Sequence, residues 1–249
     1  MNDTPVARWV IVNADDFGQS PGINGGVVRA HEEGIVTSAS LMVRWPAAVE
    51  AAAYCRARPR LSVGLHLDLG EWRFHDGVWT ALYRVVPLDD PAAIRREVAA
   101  QLAVFEALVG HAPTHLDSHQ HVHRTSVVGA VLGEIAATQG LPLRGVTPHV
   151  HYCGDFFGQT AEGAPVANAI SVTGLLRLLA ALPVGMTELA CHPAQVVEFE
   201  TMYRDERRQE LEVLCDARVR TALREQAIAL CTFHDVPRVG AYAGSGGMA

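Results

Sequence analysis

WVIVNADDFGQSPGINGGVVRAHEEG, residues 9–34, is the stretch on which the fold is decided. Residues 9–12 form a short apolar run that reads as a strand. Gly, Ser and Pro between Gly18 and Gly22 mark a turn. A helical stretch over residues 24–33 follows, and Gly34 stops it. Strand, turn and helix together make one βα unit, with two adjacent carboxylates, Asp15 and Asp16, where the strand runs out.

The same alternation continues outward. Residues 35–43 are strand-like, Pro46 opens a helix to about residue 56, and residues 61–69 are a third strand. Residues 91–109 give the clearest helix, with Ile94, Val98, Leu102, Phe105 and Leu108 at helical spacing. Further strands are expected at 114–119, 143–146, 186–191 and 238–242. Helices are expected at 126–138, 172–182 and 205–230, the last broken around Asp216. Strand–helix alternation means a parallel sheet with helices packed outside it. About seven such units without a linker favour a closed or nearly closed barrel over an open doubly wound sheet. The expected fold is therefore α/β, a distorted (β/α) barrel in a single domain over residues 1–249, with residues 244–249 frayed. In such barrels chemistry collects at the carboxyl ends of the strands, and Asp15, Asp16, His66, the 115–123 cluster and His192 all fall on that rim.

Composition narrows the function. The formal charge is −7, with no basic patch able to track phosphate backbones, so nucleic acid is not an expected partner. No apolar run reaches the ~18–20 residues of a membrane span, and residues 1–12 lack a secretory pattern; a cytoplasmic location is expected. Every one of the 20 basic residues is arginine, which removes phosphate-loop and Schiff-base lysine mechanisms. The five cysteines form no C-x-x-C pair and read as reduced thiols. Histidine is the unusual element, because the 12 residues bunch.

Four clusters carry chemistry. Asp15 and Asp16, side by side at a strand end, are costly to desolvate without a cation or donors nearby. On an extended chain they point to opposite sides, so one can ligate a metal while the other faces water or substrate; alternatively one caps the following helix. In VGLHLDL, residues 63–69, Gly64, His66 and Asp68 share one face, and His66 alone could as well be a satisfied core histidine. In THLDSHQHVH, residues 114–123, His115, Asp117, His119, His121 and His123 recur at period two and share a face while the chain stays extended. Imidazoles packed this closely repel when protonated, so most must be neutral, the form that binds metal. In CHPA, residues 191–194, Pro193 holds His192 out of helical geometry and makes it a candidate general acid. One carboxylate and two histidines from three strands make a three-ligand site with open positions, the pattern of a catalytic metal.

NADDFG (13–18), GIVTSASLM (34–42), GLHL (64–67), THLDSHQHVH (114–123) and CHPA (191–194) resemble, in order, the motifs of the YdjC-like carbohydrate deacetylases. Arg207 and ELEVL (210–214), within residues 203–216, resemble the family's late helix. The resemblance implies a barrel of the glycoside hydrolase/deacetylase type, with a homodimer among its assemblies. It implies one divalent metal ion, zinc or magnesium, on Asp16, His66 and His119, and removal of the N-acetyl group from a small acetylated amino sugar or oligosaccharide. Attack would be by metal-bound water, with Asp15 as base and His192 as acid. His115, Asp117, His121 and His123 would support the site or touch substrate, His123 closest to it. Substrate choice would fall to loops 68–90 and 149–170, which hold Trp72, Phe74, Trp79, Tyr83, Tyr152, Phe156 and Phe157.

Two other functions fit the same residues. A metal-dependent phosphoesterase would need basic groups at the mouth, for which Arg73, Arg84, Arg124 and Arg144 are the candidates. A non-catalytic sugar-binding barrel would need neither Asp15 as a base nor His192 as an acid.

Overall fold

The computed structural model describes residues 8–236. The opening βα unit is strand β1 (Arg8–Phe17) followed by helix α1 (Pro21–Glu32). The helix starts earlier than its apolar pattern, because Ser20 caps it by accepting from the Ile23 amide and Pro21 fits its first turn. Gly18, at φ 92°, makes the intervening turn; a Cβ there would lie 2.9 Å from Leu41.

Strand β2 (Ser38–Leu41), helix α2 (Ala48–Ala57) and strand β3 (Ser62–Leu67) follow. Next come β4 (Gly70–His75), β5 (Val78–Arg84) and α3 (Pro91–Val109). Strand β6 (Leu116–Ser118), helix α4 (Ser126–Gln139) and strand β7 (Val150–Cys153) come after them. Helix α5 (Val172–Ala181), strand β8 (Gly185–Cys191), helices α6 (Asp205–Leu214) and α7 (Ala217–Glu225), and strand β9 (Ile228–Leu230) complete the order.

Seven strands form one parallel sheet in the order β6-β3-β2-β1-β8-β7. β2 takes the carboxyl half of one edge of β1, and β9 pairs with Arg8, Trp9 and Val10 at its amino end. The sheet curls into a half-barrel in which β6 and β7 are the edges, and among the described residues no ladder joins them. Its strands are covered on both faces, so Val10, Ile11, Val12 and Ala14 of β1 are all buried. Among the described residues no helix is long and apolar enough to cross a membrane.

Several expectations need correction. Residues 143–146 are not a strand: Leu143 makes a single parallel bridge to Leu116, and Gly145, at φ 69°, turns the chain away. β7, in a stretch read as loop, takes the vacant rung beside β8. The late helix does not run to residue 230. Asp216 caps α7, the left-handed Ala227 follows it, and β9 pairs with β1. Loop 68–90 holds the antiparallel hairpin β4–β5, turned by Asp76 and Gly77, both at positive φ. The expected strand at 238–242 and the tail at 244–249 lie outside the described residues.

Candidate metal centre and active site

The carboxyl ends of β1, β3, β6 and β8 meet at one rim. A cavity of about 700 Å³ opens there, and Asp15, Asp16, His66, His119 and His192 all line it. The β1 ladder slips between Ala14 and Phe17, and Asp16 takes φ 62°. The adjacent carboxylates therefore do not simply alternate across the strand; both reach the cavity, each with a different set of partners.

Asp16 Oδ1 lies 3.2 Å from His66 Nε2 and 2.9 Å from His119 Nδ1. The three ligand atoms of Asp16, His66 and His119 lie within 4.8 Å of one another, and all three residues are buried. Adjacent ligands of an ion bound at ~2.0–2.1 Å stand about 3 Å apart, so this spacing fits a divalent cation. His119 Nε2 is buried without a hydrogen-bond partner, 3.9 Å from a Glu71 carboxylate oxygen. Asp117 holds His66 Nδ1 at 2.8 Å, fixing which imidazole nitrogen faces Asp16. Burial opposes charge on His66, but Asp117 and Asp16 overcome it and lift the imidazole to about 10. The surroundings thus favour positive charge at this point, and a bound cation would displace the proton.

Asp15, Asp117 and His66 form a second close group, but a guanidinium already fills it. Arg144 donates to both oxygens of Asp15 at 2.7 Å, lies 2.7 Å from Asp117 Oδ2, and donates to Glu188 Oε1 at 2.7 Å. Burial raises the Asp15 carboxyl, yet Arg144 outweighs it and holds the group below its ordinary value. Asp16 has its own arginine: Arg207 on α6 donates to Oδ2 at 2.6 Å. Burial again opposes ionisation of Asp16, and Arg207 with His119 carries it well below the usual carboxylate range.

His192 follows β8 and sits between two carboxylates. Its Nε2 is 3.7 Å from Asp15 Oδ2 and its Nδ1 3.7 Å from Glu210 Oε1. Glu210 is fully buried, accepts the His192 backbone amide, and accepts the Tyr203 hydroxyl.

The histidine run does not share one face throughout. His115 and Asp117 do: both meet the Ser40 hydroxyl, at 3.0 and 2.6 Å. His115 stacks on Phe233, and burial pushes it down to about 3. After Ser118 the chain leaves the sheet in a 3₁₀ turn with Gln120 and His121 at positive φ, which breaks the period of two. His121 reaches the cavity wall and its Nε2 meets the Tyr152 hydroxyl at 3.0 Å. His123, expected closest to substrate, does not line the cavity; its Nδ1 meets Ser118 Oγ at 2.6 Å.

Of the loop aromatics, Trp72, Trp79, Tyr152 and Phe157 line the cavity, whereas Phe156 is fully buried. Glu71 and Glu188, packed on the acidic and histidine residues, carry no assignment in the sequence, and Arg144 enters there only as a candidate phosphate-binding cation. Their spacing carries no motif, and only the acid on a barrel strand at Glu188 could have drawn attention.

Fold and site together define an α/β half-barrel with a carboxylate–bis-histidine cluster beside a close aspartate–histidine pair. The family described as YdjC-like protein matches residues 9–225, and the chain belongs to that family. A carbohydrate deacetylase of Geobacillus stearothermophilus is 33% identical over 92% of this chain and 98% of its own length. A chitooligosaccharide deacetylase of Klebsiella pneumoniae (strain 342) is 33% identical over 92% and 99%. Among solved structures, a protein of Enterococcus faecalis V583 described in terms of cellobiose-phosphate cleavage superposes with TM-score 0.71 at 25% identity, covering 92% of this chain and 98% of that one. The catalytic domain of a peptidoglycan N-acetylglucosamine deacetylase from Eubacterium rectale ATCC 33656 shares the fold, with TM-score 0.58 at 10% identity over 92% and 89%.

Proposed function

We propose that this chain hydrolyses the N-acetyl group of an acetylated amino sugar, using a divalent ion held by Asp16, His66 and His119. The observation that carries this reading is that Asp15 and His192 stand 3.7 Å apart in the cavity that also exposes the three ligands. Binding alone requires neither group. A divalent ion at the centre would polarise the acetyl carbonyl and acidify a water. One carboxylate and two imidazoles suit zinc by ligand softness, and magnesium remains compatible with the carboxylate.

Asp15 takes the proton of the water that attacks the acetyl carbon, while the Arg144 clamp fixes the carboxylate and keeps it ionised at neutral pH. The C–N bond then breaks. His192 delivers a proton to the sugar nitrogen, which otherwise leaves poorly, and Glu210 orients the imidazole from behind. Trp72, Trp79, Tyr152 and Phe157 give the sugar apolar faces to stack on. Of the arginines the phosphoesterase alternative would need, Arg144 is committed to carboxylates, whereas Arg73 and Arg124 line the cavity, so phosphate esters belong in the test.

The test is acetate release from a panel of N-acetylated sugars, with and without chelator, beside a panel of phosphate esters. Chelator-sensitive acetate release supports the proposal; turnover of phosphate esters alone overturns it.

A further inference from the structure

Beside the reaction cavity lies a second cleft of about 550 Å³, where the curled sheet stays open between β6 and β7. Its floor is the amino end of α4. Thr125 occupies the cap position but makes no side-chain bond to the helix amides; its hydroxyl donates instead to Val122 O at 2.8 Å. The first turn also carries no acidic residue, so neither usual device meets its free N–H groups.

A second donor points the same way. His123 lines the cleft and is 4% exposed. Ser118 Oγ accepts the His123 backbone amide at 3.0 Å and meets Nδ1 at 2.6 Å. Among the described residues Nδ1 is the one acceptor within reach of the Ser118 hydroxyl, and donation to it leaves the imidazole proton on Nε2. Nε2 is buried and has no hydrogen-bond partner. A buried N–H without an acceptor costs free energy that a bound acceptor would recover.

The charge at the rim is favourable as well. Arg124 is exposed at the mouth, its guanidinium 4.9 Å from the centre of the Tyr152 ring. Arg144 lies behind the same ring, its charge offset on the far side by Asp15, Asp117 and Glu188. Arg124 is therefore the cation available to a ligand.

We infer that this cleft binds a small oxyanion, a phosphate or a carboxylate, between the amino end of α4, the Nε2–H of His123 and Arg124. The site is separate from the metal centre, although Arg124 and Tyr152 border both cavities.

The test uses inorganic phosphate and the full metal-loaded chain at constant ionic strength, with chloride as the control. With ¹⁵N-histidine labelling, phosphate should shift the His123 Nε2–H resonance saturably and raise the melting temperature above that in chloride. Acetate producing the same shift would identify a carboxylate as the physiological form; phosphate alone would identify a phosphate group. Ser126→Glu puts a carboxylate on the exposed first residue of α4 and should weaken phosphate by about 10-fold without unfolding the chain. Arg124→Ser should weaken it by about 5-fold. No shift at His123, or unaltered phosphate affinity in Ser126→Glu, overturns the inference; the latter would place the anion at the metal centre. Neither readout requires turnover of a sugar, so failure here is distinct from failure of the deacetylase reading.

Discussion

Asp15 and Asp16 are neighbours in the chain, yet each is held by its own buried arginine, Arg144 and Arg207. That pairing keeps both carboxylates ionised in the interior, where an uncompensated charge would be prohibitive. Asp15→Asn preserves size but keeps at most one of the two Arg144 hydrogen bonds, because its amide nitrogen is a donor, and it removes the base. Its kcat should fall about 10²–10⁴-fold while metal content, measured by elemental analysis, is unchanged. Glu188 behaves differently. Burial lifts its carboxyl to about 7, with Arg144 opposing. Between its ordinary value of 4.5 and about 7 the folded chain keeps a proton that the unfolded chain has lost, so stability from this group falls as pH rises through that window. Thermal melts of Glu188→Gln should show the variant gaining on the parent as pH rises from 4.5 to 7. A difference that does not vary with pH would contradict this. The acids and histidines at this scale were legible because their types cluster in short motifs. Arg207 stands out only through the late-helix resemblance and Arg144 only as a mouth cation; in a chain whose 20 basic residues are all arginine, nothing in the sequence pairs either one with its carboxylate.

Elements position these residues through close contacts that tolerate little change. On β3, two residues before His66, a Cβ at Gly64 would lie 2.5 Å from the His115 ring. That ring cannot yield easily, since it stacks on Phe233 at 3.7 Å and bonds Ser40. Gly64→Ala should therefore cost about 1–3 kcal/mol in chemical denaturation, with lower activity because β3 carries a metal ligand. Legibility varied at this scale for physical reasons. Helix α3 was readable to its ends because Asp90 caps it, Pro91 starts it and the left-handed Gly110 stops it. The β4–β5 hairpin was missed although Asp76-Gly77 is a strong turn signal; β5 lies largely exposed, and the pair lacks the apolar alternation of two half-buried strands. The period-two reading of the histidine run failed because positive φ at Gln120 and His121 is a backbone property that side-chain pattern does not reveal.

Across the whole molecule, the candidate ligands come from β1, β3 and the turn after β6; β3 and β6 are paired neighbours, and β1 is separated from β3 only by β2. A cation at their meeting point would tie these elements together at the open end of the half-barrel. Chelation should consequently lower the melting temperature as well as abolish acetate release, and one equivalent of metal should restore both. Strand–helix alternation was enough to predict the parallel barrel. Among the described residues the main sheet has seven strands, with β7 standing in place of the one expected at 143–146 and β9 not foreseen; the strand expected at 238–242 lies outside those residues.

Anomalous scattering from crystals loaded with zinc or cobalt tests the centre most directly. The account predicts a single strong peak about 2.0–2.2 Å from Asp16 Oδ1, His66 Nε2 and one nitrogen of His119. An ion bound elsewhere, or none at this position in a preparation that still releases acetate, would contradict it.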